Sequence, residues 1–196
     1  MAERSATIER TTKETSIKMT LKLDGTGTCY VESGIPFLDH LLEGFAKHGL
    51  FDLTASIHGD LEVDAHHTIE DTGIVLGQAI REAVGNKVGI KRYGSAILPM
   101  DEALILCAVD LSNRPYLSFD CEYTTFKIGD LETEMIHDFF YAISYSAAMN
   151  LHIKKISGFN NHHVAEATFK AFAKALDMAT IVDERITGIL STKGKL

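Results

Sequence analysis

The residues with the most chemistry in them occur twice. His66-His67-Thr68-Ile69-Glu70 and His162-His163-Val164-Ala165-Glu166 are one HHxxE pattern repeated 96 positions apart. Each copy follows another histidine, His40 or His137, that lies 26 or 25 positions earlier in a stretch of helical periodicity. On a helix the first histidine and the glutamate share a face, whereas neighbouring histidines point about 100° apart around the axis. One metal ion is therefore a poor match for both members of a pair. His66 and Glu70 suit one centre and His67 another, with His162, Glu166 and His163 repeating the scheme. Adding His40 and His137 makes six imidazoles and two carboxylates, which divide into two centres of four donors each.

A donor set of nitrogen and oxygen without thiolate suits Mn, Fe, Co, Ni or Zn, and a six-coordinate ion held by four protein donors keeps positions for substrate or water. A purely structural metal site is the bland alternative, disfavoured by that spare capacity. The pattern is not the HExxH of zinc proteases, in which the glutamate lies between the ligands. The remaining histidines, His48, His58 and His152, fall outside the repeat and read as ordinary helix or strand residues.

Basic residues suggest the substrate class. Arg92 follows a glycine-bearing connector, Arg114 follows Asp110-Leu111-Ser112, Lys170 lies one turn beyond Glu166, and Ser191-Thr192-Lys193-Gly194 lies near the end. Singly these are most often solvated charges. Together they could clamp a phosphate through guanidinium forks, an ammonium and a hydroxyl. Glu14 and the pair Asp101-Glu102 are unassigned carboxylates open to proton transfer or to orienting ligands, and Asp71, beside Glu70, is a further orienting candidate.

The elements that must position these groups are also written twice. Ser16 to Leu23 and Gly27 to Val31 read as a hairpin turned at Asp24-Gly25, followed by a helix from Phe37 to Leu50 and a strand from Phe51 to His58. Leu61 to Val63 reads as a short continuation of that strand, and Thr68 to Val84 as a helix. After the Gly85–Gly94 connector come strands at Ala103–Leu111 and Tyr116–Tyr123, a helix at Glu132–Met149, a strand at Leu151–Ile156 and a helix at Val164–Met178. Two β-β-α-β-α halves are expected, 1–94 with the N-terminal strand and connector and 95–196 with the STKG segment, fused into one catalytic domain because neither half buries its own faces.

Composition narrows the function classes. The 196 residues are 45% hydrophobic, and 27 acidic against 19 basic side chains leave a net charge of −8. That argues against a general nucleic-acid or anionic-membrane partner. Cys29, Cys107 and Cys121 form neither a CxxC motif nor an even set, so free thiols in a reducing, cytoplasmic setting are expected. No signal-like apolar stretch opens the chain, and the longest apolar run, Ala103 to Val109, is far shorter than the roughly 18 residues of a membrane span.

The sequence resembles the imidazoleglycerol-phosphate dehydratases of histidine biosynthesis, in their monofunctional form. The resemblance is carried in order by RTTKET (Arg10–Thr15), GIPFLDHLL (Gly34–Leu42), DAHHTIEDTGIVLGQA (Asp64–Ala79), PMDEAL (Pro99–Leu104), DLSNRP (Asp110–Pro115), GFNNHHVAEATFKA (Gly158–Ala171) and STKG (Ser191–Gly194). It departs at Leu190, where proline is common, and at Asn113, where glycine is common. The resemblance implies an α/β fold of duplicated halves, two four-stranded mixed sheets enclosing a helical layer, of the ribosomal protein S5 domain 2-like type. It also implies a homo-oligomer, a 24-subunit shell built from trimers with active sites between subunits, and two Mn²⁺ per site.

Carried over by motif, one centre takes His66, Glu70, His137 and His163, and the other His40, His67, His162 and Glu166. Arg92, Arg114, Lys170, Ser191 and Lys193 would hold the substrate phosphate, and Glu14 would transfer protons. The implied reaction removes water from D-erythro-imidazole-glycerol phosphate, via an imidazolate and a diazafulvene-like intermediate, to give imidazole-acetol phosphate. A chain of this length leaves no room for a fused phosphatase domain and is expected to perform the dehydration alone. The rivals are a di-metal phosphatase, using the same metals on phosphorus, and a non-catalytic metal-storage or assembly module.

Overall fold

A computed structural model describes residues 3–196. The first half runs β1 (Ser5–Thr11), β2 (Thr15–Lys22), β3 (Cys29–Glu32), α1 (Pro36–Gly49), β4 (Asp52–Gly59) and α2 (His66–Val84). The second runs β5 (Tyr93–Met100), β6 (Ala103–Asp110), β7 (Tyr116–Asp120), α3 (Glu134–Ser146), β10 (Asn150–Ser157) and α4 (Asn161–Thr180), with a small β8–β9 hairpin (Lys127–Ile128, Leu131–Glu132) inserted before α3. The two four-stranded sheets share one plan, β1-β2-β4-β3 and β5-β6-β10-β7. In each, the first two pairings are antiparallel and the last is parallel.

Each half therefore places three strands of its four-stranded sheet before its first helix, not two. The extra strands are β1 and β5. Along β1 only Ala6 and Ile8 face inward among polar neighbours, and β5 carries Gly94 and Pro99, so neither presents the dense apolar alternation of a central strand. β5 begins at Tyr93, so a boundary between residues 94 and 95 cuts a strand. The expected hairpin of β2 with β3 does not form either: β2 pairs with β1 and β4, and β3 runs parallel to β4. The turn residues are used differently. Asp52 Oδ1, at the start of β4, accepts from the backbone N–H of Thr26 (2.8 Å) and Thr28 (3.1 Å), wrapping the chain around a carboxylate rather than folding it back. Leu61–Val63 is a turn rather than strand.

Amphipathic α2 covers β1 and β2, and α4 covers β5 and β6, while the helices pair across the halves, α1 with α4 and α2 with α3. The seam is aromatic. Phe45 of α1 stacks on Phe172 of α4 at 5.5 Å across the halves, and Phe139 of α3 stacks on Phe169 of α4 at 5.2 Å within the second half, all four buried. This cross-pairing positions the site, because it sets His40 of α1 against the start of α4 and His137 of α3 against the start of α2. The α2–α3 approach needs small residues: a Cβ on Gly77 would lie 2.7 Å from the Ser146 Cβ and 2.8 Å from the Ile143 carbonyl oxygen. In a free helix Gly→Ala is favourable by about 1 kcal/mol. Here the backbone contact cannot yield, so overpacking dominates, and Gly77→Ala is expected to cost about 1–3 kcal/mol, read as a lowered unfolding midpoint.

Among the described residues no helix is long and apolar enough to cross a membrane, and the three cysteines are free.

Candidate functional site

Both histidine pairs occupy the first turn of a long helix, where backbone N–H groups lack intrahelical partners. In each half an upstream side chain supplies one. Asp64 Oδ1 accepts from the His66 N–H at 2.8 Å, and Asn160 Oδ1 accepts from the N–H of His162 at 3.0 Å and of His163 at 3.5 Å. Asp64 and Asn160 were missed as positioning residues, although an Asp or Asn two residues before a helical pair is a legible capping signal. With the first turn fixed, the two rings of each pair diverge, at 84° for His66 and His67 and 85° for His162 and His163.

One cluster is closed. His40, His162 and Glu166 place their ligand atoms within 4.8 Å of one another. Glu166 Oε1 lies 2.7 Å from His162 Nε2 and 3.1 Å from His40 Nε2, and its Oε2 accepts from Lys170 Nζ at 2.6 Å. Burial pushes the Glu166 carboxyl up, but the hydrogen bonds from Lys170, His40 and His162 outweigh it and hold the group at about 2. Phe37 packs on the His162 ring, centroids 5.0 Å apart. The donor set has the hard-to-borderline chemistry of a Mn²⁺, Fe²⁺ or Zn²⁺ site and fits a divalent cation.

The equivalent cluster, built from α2 and α3, is looser. His66 Nε2 is 3.6 Å from Glu70 Oε2, and Asp138 sits between the histidines, with Oδ1 3.0 Å from His137 Nδ1 and Oδ2 3.9 Å from His66 Nδ1. Phe119 covers His137 edge-on at 5.6 Å, the counterpart of Phe37 over His162.

His67 and His163 join neither cluster. His67 Nδ1 faces Asp60 Oδ2 at 3.0 Å and its Nε2 is 4.0 Å from Glu14 Oε1. His163 Nδ1 faces Glu102 Oε2 at 2.8 Å and its Nε2 is 3.6 Å from Asp101 Oδ2. The hydrogen bonds that His67 and His163 donate to Asp60 and Glu102 raise the pKa of both histidines above the ordinary value. The reciprocal bond from His163, aided by the Asn160 N–H, draws Glu102 down to about 2.

Glu14 rides the tight β1–β2 turn and is half-exposed, in a shallow 360 Å³ cavity that His58 and Asp60 also line. Buried Asp71 ties that turn to α2: Oδ1 accepts from Arg10 Nε at 2.9 Å and Oδ2 from the Thr15 hydroxyl. Asp71 thus braces the Glu14 turn rather than a histidine. Burial lowers the His48 pKa, with the nearby charges of Lys170 and Lys174 acting in the same direction and Glu166 opposing them, and His152 stacks on Tyr116 at 5.5 Å.

Arg92, Arg114, Ser191 and Lys193 line one pocket of about 810 Å³, together with Arg185 and Lys195, which were not anticipated. Arg92 is mostly committed: Nε and Nη2 donate to Asp110 at 2.7 and 3.2 Å, and Nη1 to the Leu190 carbonyl at 2.7 Å. It ties the end of β6 to the C-terminal segment and keeps two N–H groups for an anion. Arg114 is the exposed fork. Lys170 is absent from this pocket and belongs instead to the Glu166 cluster.

The two departures from the motifs are accommodated. Leu190 contributes its backbone carbonyl to Arg92, an atom proline also has. Asn113 adopts φ 59°, left-handed backbone that glycine and asparagine enter most easily, and its Oδ1 accepts from the buried Lys87 Nζ at 2.6 Å. Burial lowers the Lys87 pKa to about 8.

Comparison with known proteins converges on one family. Residues 33–176 match the family model described as imidazoleglycerol-phosphate dehydratase. The chain is 63% identical over 191 residues to the imidazoleglycerol-phosphate dehydratase of Lachnoclostridium phytofermentans, covering 97% of each chain. It is 54% identical over 194 residues to that of Acetivibrio thermocellus, covering 99% and 100%. Among solved structures, the enzyme of Staphylococcus aureus superposes with a TM-score of 0.83 at 36% identity, over 91% of this chain and 99% of that one. The enzyme of Pyrococcus furiosus gives 0.83 at 37% identity, over 96% and 100%.

Proposed function

The chain belongs to the imidazoleglycerol-phosphate dehydratase family, and from that premise we propose that it removes water from D-erythro-imidazole-glycerol phosphate with two manganese ions per active site, releasing imidazole-acetol phosphate. It is a carbon–oxygen hydro-lyase of histidine biosynthesis. The observation that carries the metal reading is the closed cluster of His40, His162 and Glu166, three donors within 4.8 Å and without thiolate. We assign His40, His67, His162 and Glu166 to one ion and His66, Glu70, His137 and His163 to the other. His67 and His163 stand apart from the triads of their own chain. That supports a fourth donor arriving from another copy, hence a homo-oligomer with shared sites, read here as 24 subunits built from trimers. The setting is cytoplasmic, and no nucleic acid or membrane takes part.

When bound, the metals supply electrostatic stabilisation of negative charge on the substrate imidazole ring and fix its position. The protein does the rest. Arg114, Lys193 and Ser191 anchor the phosphate, with Arg92 holding the pocket wall. Lys170, beside Glu166, supplies a further positive charge near the donors. Glu14, carried on the braced turn, accepts the C2 proton. The C3–O bond breaks with the electron pair leaving on oxygen, and that oxygen takes up the proton released from the ring nitrogen when the imidazolate forms and departs as water. The ring accommodates the charge redistribution as an imidazolate and then a diazafulvene-like species, and the resulting enol tautomerises to the ketone.

Incubating the manganese-loaded protein with imidazole-glycerol phosphate is expected to yield imidazole-acetol phosphate without inorganic phosphate. Phosphate release without the acetol product would instead identify a di-metal phosphatase, and metal-dependent assembly without turnover a storage module.

A further inference from the structure

His67 and His163 are each held at Nδ1 by a carboxylate, and the two carboxylates are not copies of each other. Asp60 leaves the end of β4, whereas Glu102 sits in the tight turn between β5 and β6. In the half where the β5–β6 turn supplies Glu102, the segment leaving β10 contributes none; in the other, the β1–β2 turn supplies only Glu14, on the Nε2 side. Two halves descended from one ancestor have thus reached the same contact from different elements. Inheritance explains matching positions; it does not explain matching contacts from unmatched positions. The contact itself is what both halves need.

The chemistry of the contact says why. An ionised carboxylate only accepts hydrogen bonds, so the Nδ1 it faces at 3.0 Å in His67 and 2.8 Å in His163 must be the donor. In the neutral imidazole that fixes the tautomer and leaves the lone pair on Nε2. Neither Nε2 has a hydrogen-bond partner among the described residues, the nearest carboxylate oxygens being 4.0 and 3.6 Å away. Each ring is thereby presented Nε2-first, towards Glu14 in His67 and towards Asp101 in His163. A carboxylate behind a ligating imidazole both orients the ring and raises its basicity.

We propose that Asp60 and Glu102 are positioning residues that set the tautomer and aim of His67 and His163, so that each histidine offers Nε2 to a divalent cation whose other donors are His40, His162 and Glu166, or His66, Glu70 and His137. This rests on the two-metal reading above. Glu102 has a second task, accepting from the backbone N–H of Asn160 at 2.8 Å and Phe159 at 3.4 Å, so its loss would also loosen the start of α4. The Asp60 side chain hydrogen-bonds only His67 among the described residues, and it makes the cleaner test.

Manganese binding to the intact, assembled protein is measured by the EPR signal of free Mn²⁺, for wild type, Asp60→Asn and Asp60→Ala, with thermal unfolding alongside. Asp60→Ala is expected to weaken one of two classes of bound ion by about 10–100-fold and leave the other class and the unfolding midpoint unchanged. Asp60→Asn, which keeps an acceptor but not the charge, is expected to fall between. Unchanged affinity in both classes for Asp60→Ala, or equal weakening of both, overturns the positioning role. Wild-type protein that binds no manganese overturns the metal reading beneath it, a result separable from failure of the inference.

Discussion

Glu14→Gln is expected to lower kcat by about 10²–10⁴-fold while leaving manganese stoichiometry, assembly state and KM close to wild type. The substitution keeps the shape of the side chain and removes its ability to take a proton. Nothing in the fold leans on that carboxylate: it is half-exposed, its turn is closed by Thr12 and Thr15, and its nearest charged neighbour, His67 Nε2, is 4.0 Å away. A purely catalytic loss is therefore separable from a folding defect by measuring turnover and metal content on one sample. A normal kcat would remove Glu14 from the chemistry. A companion variant, Asp71→Asn, weakens the brace from Arg10 and Thr15 to the same turn and is expected to reduce kcat less, because the base is present but held less firmly.

Glu166→Gln is expected to have the other large effect, weakening one class of bound manganese by more than about 100-fold, beyond what loss of an orienting partner causes. Two effects add in the same direction. A negative donor is lost, and Lys170, whose ammonium is 2.6 Å from Glu166 and mostly shielded from water, is left as an uncompensated cation beside His40 and His162. Removing one member of a buried charged pair costs more than the pair contributes, because the survivor cannot recover its hydration. Adding Lys170→Met to Glu166→Gln is thus expected to recover part of the affinity. If the double variant binds manganese no better than the single, Lys170 repulsion plays no part in the loss.

The candidate ligands were legible because the information was local. A histidine pair four residues from a glutamate is meaningful once the segment is helical, and the repeat at 96 positions made coincidence untenable. The pair Asp101-Glu102 was legible as a candidate for orienting a ligand, but which histidine it serves was not, because Glu102 reaches His163 across 61 residues and through a sheet turn. Sheet order failed for a related reason. Asp24-Gly25 is a hairpin signal in isolation, but the carboxylate that decides the path of that turn, Asp52, arrives from a strand 24–26 residues later. β1 and β5 were obscured by their chemistry, since a strand with few inward apolar side chains, or with glycine and proline, resembles a connector.

The cross-pairing of α1 with α4 and α2 with α3 bears on the history of the gene. In each cluster the histidine-glutamate helix comes from one copy of the repeat and the single-histidine helix from the other. In this fold neither copy closes a cluster from its own helices alone. An ancestral half-length polypeptide would have needed a twin to complete the arrangement, and fusion converted that two-chain dependence into one chain. Each copy contributes donors to both clusters, so a change that removes donors from one copy opens a cluster that the other copy cannot close alone.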